Sequence, residues 1–116
     1  MSKFKLEYSF ADRFDEAFRI RLKYPDKIPI ICEKNPKCKD TPDIDKRKYL
    51  VPLDLTIGQF IYVIRKRIKM PSEKALFIFI NGKIPSSSQM LCNIYEFDKD
   101  PDNYLYILYT TENTFG

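Results

Sequence analysis

The segment Tyr104–Thr110, Y-L-Y-I-L-Y-T, constrains this chain most, because none of its residues is charged. A strand with apolar side chains on both faces cannot lie on a surface. It must be central in a sheet, and something must cover each face. A candidate cover lies earlier in the chain. Thr56-x-x-Gln59 is a capping box, and Ile57, Phe60, Ile61, Ile64 and Ile68 follow it with a 3.6-residue period. Arg65, Lys66, Arg67 and Lys69 suit the negative end of that helix, and Pro71 is its predicted stop. The second cover is predicted N-terminally. Residues 2–24 read as helical, with a short amphipathic turn over Lys3–Glu7, a weak cap at Ser9 and a stripe of Phe10, Phe14, Ala17, Phe18 and Leu22. Ile20 falls off that stripe, one turn after Glu16. Tyr24-Pro25 ends the helix.

The other strands read as Ile28–Glu33, Lys48–Leu53 and a buried Ala75–Ile80, with a tight turn at Asn81-Gly82 and a short helix over Gln89–Phe97. Asn35–Asp45 has no apolar period and reads as a loop. Pro52 cannot donate to a ladder, which places Lys48–Leu53 at a sheet edge. Its two faces are both apolar: Tyr49, Val51 and Leu53 on one, Leu50 and Pro52 on the other. An apolar edge strand needs a cover. Without the N-terminal helix the order is ββαβ(α)β. The predicted class is α+β, a ubiquitin-like β-grasp with a four-stranded mixed sheet and an N-terminal helical extension. That divides the chain into an extension over 1–24 and a ubiquitin-like domain with a C-terminal tail over 25–116.

Composition removes several functions. The 116 residues contain no histidine, so His-based triads, His metal sites and His general bases are excluded. Gly occurs three times, with no phosphate-binding glycine loop. Cys32, Cys38 and Cys92 match no zinc spacing and form no C-x-x-C, so they read as free thiols in a reducing compartment. These features point away from an autonomous enzyme and imply no cofactor and no metal. A net charge of +4 without an aromatic-basic RNA motif argues against nucleic acid. Met1–Ser9 does not read as a signal peptide. The longest apolar run, Ala75–Ile80, is too short to span a bilayer, so membrane association would need a surface or a covalent lipid.

Five ordered blocks then carry a family resemblance. They are Ile20-Arg21-Leu22-Lys23-Tyr24-Pro25-Asp26-Lys27-Ile28-Pro29; Lys48-Tyr49-Leu50-Val51-Pro52 with Asp54-Leu55-Thr56-Ile57-Gly58-Gln59-Phe60; Ile64-Arg65-Lys66-Arg67-Ile68; Leu76-Phe77-Ile78-Phe79-Ile80-Asn81; and Tyr104-Leu105-Tyr106, before an aromatic-Gly end. Together they resemble the autophagy-related protein 8 family, the GABARAP-like ubiquitin-like modifiers. Asn35–Asp43 and Met1–Leu6 depart from the pattern.

The resemblance implies a modifier conjugated through a C-terminal glycine, here Gly116, to phosphatidylethanolamine. It implies activating and conjugating enzymes, a processing and deconjugating cysteine protease, and cargo receptors and adaptors with aromatic-x-x-aliphatic motifs. The setting would be the cytoplasm and, after lipidation, autophagosomal and other vesicle membranes. Glycine suits such chemistry because its carboxylate can enter narrow adenylation and thioester sites; whether Gly116 is a native or a processed terminus stays open. A peptide could add to the Lys48–Pro52 edge. Glu16, Ile20, Pro29, Ile31, Lys48, Leu50 and Tyr104 resemble the family's first pocket, for an aromatic ring; the family often has Phe where Tyr104 stands. Tyr49, Val51, Pro52, Leu55, Phe60, Val63 and Ile64 resemble the second, for an aliphatic side chain. Phe60, Ile64 and Ile31 read equally well as core, whereas Ile20, Leu50 and Lys48 read as binding residues. Lys46, Arg47 and Lys48 with Arg65 and Arg67 form a basic rim that would attract acidic flanks of the peptide. The alternative is a ubiquitin-like peptide-binding adaptor domain that is never lipidated.

Overall fold

A computed structural model describes residues 2–38, 41–71 and 73–111. Helices α1 (Lys3–Glu7) and α2 (Phe10–Lys23) precede strands β1 (Lys27–Lys34) and β2 (Lys48–Pro52). Helix α3 (Ile57–Arg67), strand β3 (Phe77–Phe79), helix α4 (Leu91–Asp98) and strand β4 (Leu105–Thr110) follow. The strands form one mixed sheet in the order β2-β1-β4-β3. The apolar β4 is central, parallel to β1 and antiparallel to β3. Strand β2 is an edge, antiparallel to β1 with Ile28 opposite Val51 and Ile30 opposite Tyr49. This is the ubiquitin-like β-grasp read from the sequence.

Side-chain alternation divides the interior in two. On one face Ile28, Ile30 and Cys32 of β1, Tyr49 and Val51 of β2, and Leu105, Ile107 and Tyr109 of β4 meet Ile57, Phe60 and Ile64 of α3 in the main core. On the other face Ile31 of β1 and Tyr104 join Phe4 of α1 and Ala17 of α2, with Ile20 and Tyr106 packed alongside. The capping box of α3 is present: Gln59 N–H donates to Thr56 Oγ1 at 3.2 Å and Thr56 N–H donates to Gln59 Oε1 at 2.9 Å. Asn81 and Gly82 both have positive φ, 51° and 77°, as a tight turn between Ile80 and Lys83 requires.

The N-terminal helix breaks at Tyr8 and Ser9, as the short turn over Lys3–Glu7 and the cap at Ser9 predict, and Ser9 accepts from Asp12 N–H. Other boundaries correct the sequence reading. The stop of α3 is Ile68, followed by Lys69 in a left-handed conformation (φ 56°), and lies before Pro71. The strand read over Ala75–Ile80 is confined to Phe77–Phe79 and is an edge, with Phe77 and Phe79 half-buried. The stripe on α2 is also misdirected. Phe10, Phe14, Phe18 and Leu22 are exposed, and only Ala17 of the stripe reaches the sheet. The cause is space: the rings of Phe4, Tyr104 and Tyr106 already fill that face, packed 5.4 to 6.5 Å apart between centroids. Over them lies Ala17, the smallest residue of the stripe.

Buried polar groups fix α2 in place. Arg13 donates from Nη1 to Asp102 Oδ2 at 2.6 Å and from Nε to the Tyr8 carbonyl at 3.2 Å. Asp102 also accepts from the Tyr106 hydroxyl at 2.5 Å and, through Oδ1, from Tyr104 N–H at 2.8 Å. Burial pulls the Arg13 pKa down, but the bonds to Tyr106 and Asp102 outweigh it and leave it raised.

Candidate functional site

The site develops from the free edge of β2. Arg47 C=O accepts from Cys32 N–H at 2.7 Å, and Leu53 N–H donates to Asp26 C=O at 3.3 Å. In an antiparallel ladder such residues alternate with ones whose backbone groups point away. Lys48, Leu50 and Pro52 therefore turn their backbone outward. This explains Pro52, whose missing N–H falls where β1 needs no donor. It also leaves N–H and C=O of Lys48 and Leu50 aimed outward, as a template for an added strand.

The side chains divide by the same alternation. Leu50 and Lys48 lie on the α2 side, above Pro29 and Ile31, their partners in register. Ile31 and Tyr104 form a buried floor, Ile20 is half-buried beside them, and Leu50 is 39% exposed. Glu16 reaches this floor from α2 and accepts a hydrogen bond from the Tyr104 hydroxyl. Lys48 Nζ lies 3.0 and 3.2 Å from its two oxygens. Burial pushes the Glu16 carboxyl up, yet the bonds from Tyr104 and Lys48 outweigh it and hold it below the usual glutamate value. Burial and the Glu16 carboxylate together push the Tyr104 phenol well above the usual tyrosine range.

On the α3 side, Tyr49 and Val51 pack in the main core with Phe60 and Ile64, Tyr49 edge-on to Phe60 at 5.6 Å and 84°. Leu55 is half-buried against this cluster, Val63 is an exposed residue of α3, and Pro52 by strand alternation lies on the α2 side with Leu50. The Tyr49 hydroxyl is buried without a hydrogen-bond partner among the described residues. The edge strand thus turns Lys48, Leu50 and Pro52 to the α2 side, over the buried Ile31 and Tyr104, and Tyr49 and Val51 to the α3 side, against Phe60 and Ile64.

The basic rim is largely engaged. Arg47 makes a two-pronged bond to Glu7, Arg67 lies 2.8 Å from Asp45, and Arg65 donates to the Lys74 carbonyl at 2.6 Å. Lys46 lies over the Tyr49 ring at 5.1 Å. Sequence reasoning missed Phe4, which supports the first pocket under Tyr104 and Lys48 (ring to Nζ 5.3 Å), because its segment shows too short a period to reveal a buried face. Gly116 lies outside the described residues. Of the cysteines, Cys32 and Cys38 are buried and Cys92 is half-buried; all three are free. No helix among the described residues is long and apolar enough to cross a membrane.

A mixed four-stranded sheet in the order β2-β1-β4-β3, packed by α3 on one face and open at the edge of β2, defines the class of ubiquitin-like β-grasp proteins. Three comparisons make that class specific. The family model described as "Autophagy protein Atg8 ubiquitin like" matches residues 12–116. "Autophagy-related protein 8" of Pichia angusta is 60% identical over 99% of this chain and 91% of its own length. Among solved structures, Trypanosoma brucei ATG8 superposes with a TM-score of 0.92 at 43% identity, covering 100% of this chain and 99% of that one. Plasmodium falciparum Atg8, in complex with a Plasmodium falciparum Atg3 peptide, gives 0.86 at 32% identity, covering 97% and 98%. The chain belongs to the Atg8 family of ubiquitin-like autophagy modifiers.

Proposed function

We propose that this chain is conjugated through Gly116 to phosphatidylethanolamine and, on the membrane, recruits proteins that carry aromatic-x-x-aliphatic motifs. The observation that carries the binding half is the two-sided edge. Residues three apart in a strand point to opposite faces. A peptide paired with Lys48 and Leu50 would therefore send its aromatic residue toward Glu16, Ile20, Pro29, Ile31, Leu50 and Tyr104. Its aliphatic residue would go toward Tyr49, Val51, Leu55, Phe60, Val63 and Ile64. Lys46, Arg47, Lys48, Arg65 and Arg67 would meet acidic flanks of the peptide, exchanging some of their internal partners for it. The Plasmodium neighbour was solved with a peptide of Atg3, which supports a conjugating enzyme as one partner here.

The chain acts as a substrate of conjugation, not as an enzyme. Its partners are activating and conjugating enzymes, a processing and deconjugating cysteine protease, and receptors and adaptors. It is cytoplasmic until lipidation brings it to autophagosomal and other vesicle membranes. The 1–24 extension supplies one wall of the groove, and the 25–116 domain supplies the rest and the tail.

Calorimetric titration with an aromatic-x-x-aliphatic peptide tests the groove. Tyr49 is core, so its truncation would confuse binding with stability, whereas Leu50 stands at the opening. Leu50→Ala should cost about 2 kcal/mol of binding, roughly thirtyfold. Unchanged affinity in the folded variant would remove the site. Mass spectrometry after incubation with the conjugation enzymes, ATP and lipid tests the tail: Gly116→Ala should abolish the adduct and leave peptide binding intact. Peptide binding with no adduct on the unaltered chain would favour the non-lipidated adaptor.

A further inference from the structure

The exposed face of α2 is not used by the groove. Phe10, Phe14, Phe18 and Leu22 are 48, 40, 49 and 69% exposed and succeed one another every four residues. Their rings are ordered against each other, Phe10–Phe14 at 5.9 Å and Phe14–Phe18 at 6.3 Å between centroids, with interplanar angles of 30° and 14°. Such an i, i+4 row is the ridge by which one helix packs into the grooves of another. We propose that this ridge is a homodimer contact, on which α2 of a second copy of this chain packs antiparallel.

The charge order selects that occupant. At about 100° per residue, Asp15, Arg19 and Lys23 form the next row round the helix, one flank of the ridge, as acid, base, base. A two-fold axis that makes the helices antiparallel brings this flank against itself. Asp15 then faces Arg19 of the other copy and Arg19 faces its Asp15, so the central pair is its own complement. Within one copy Asp15 and Arg19 lie 3.1 Å apart with side chains 64 and 70% exposed, and are therefore free to join a four-charge cluster. A foreign helix would need the same acid–base order at the same spacing by chance.

The area sets the strength. Four side chains, each about half exposed, offer roughly 400 Å² per copy, or roughly 800 Å² in all. That lies below the standard interface of about 1,600 Å² and predicts a weak dimer, with a dissociation constant of about 0.1 mM.

Sedimentation velocity of the full chain from about 10 µM to about 1 mM tests the contact. The unaltered chain should shift toward dimer across that range, and Phe14→Asp with Phe18→Asp should stay monomeric. Asp15→Arg alone places bases at both central positions, and Arg19→Asp alone places acids at both. Each should dissociate about tenfold more readily, and an equimolar mixture of the two should recover the original affinity. All these positions are exposed, and circular dichroism verifies that the variants fold. A monomer at every concentration, or a mixture no tighter than either variant, overturns the proposal. So does Phe14-dependent sedimentation of the chain with phosphatidylcholine–phosphatidylethanolamine vesicles, which would assign the ridge to lipid.

Discussion

At the scale of single residues, the groove's character is decided by Glu16, held between the Tyr104 hydroxyl and Lys48. Its carboxyl is below the ordinary value of 4.5 in the folded state. Between the ordinary and the folded value the unfolded chain binds more protons, so this group's contribution to stability is present above pH 4.5 and is lost as pH falls through the folded value. Urea unfolding of Glu16→Gln and the unaltered chain should show that gap closing on acidification; parallel curves would deny Glu16 that role. The thiols make a second contrast. Burial raises the Cys32 thiol far above its usual range, and Cys38 is buried with its sulfur 2.6 Å from Thr110 Oγ1, while Cys92 is half-buried on α4. An alkylating reagent should therefore label Cys92 first in the native protein, by intact mass, and Cys32 only on unfolding. Early labelling of Cys32 would show that the main core opens locally.

At the scale of elements, legibility follows how far each segment's neighbours can be inferred from the segment itself. Strand β4 was readable because an uncharged run admits only a central place, and α3 because box, period and basic end agree in one stretch. The edge position of β2 followed from Pro52 alone, and the division of its side chains between two faces from strand alternation. Helix α2 was read with the right length and the wrong face. Periodicity reports that apolar residues share a side, but which side turns inward depends on what already occupies the sheet. Phe4, Tyr104 and Tyr106 fill that space, and Arg13 is drawn in by Asp102, a pairing 89 residues apart that no local pattern announces. This layer has its own prediction. Phe4 is 1% exposed, so Phe4→Ala should cost about 3 kcal/mol. Hydrogen exchange should show protection lost over α1 and lowered over α2, while α3 and β4 amides keep theirs, because the main core lies on the opposite face. Equal loss in α3 would show that the two layers unfold as one.

At the scale of the whole molecule, the two cores are tied by tyrosines. Tyr49 and Tyr109 lie in the α3-side core and Tyr95 beside them on α4, while Tyr104 and Tyr106 lie under α1 and α2. All five phenols are raised above the ordinary 10, chiefly by burial, Tyr49 to about 12. The sign follows from linkage. Below pH 10 the phenols are neutral in both states and cost nothing. Above it the unfolded chain releases their protons while the folded chain retains them, so stability falls with rising pH until each folded value is reached. A fully retained phenol costs about 1.4 kcal/mol per pH unit, and five set an upper limit of about 7 kcal/mol per unit. Ordinary domain stabilities are about 5–15 kcal/mol, so the fold should collapse within about two pH units above 10. Tyrosinate absorbance and far-ultraviolet circular dichroism, followed together in a base titration, check this. The five raised phenols should ionise in one steep step coincident with loss of helix, and Tyr104→Phe should make that step shallower by removing one proton from it. A gradual rise in tyrosinate with the helices intact would mean that these phenols reach solvent in the native state, and that the tyrosines do not bind the two layers into one cooperative unit.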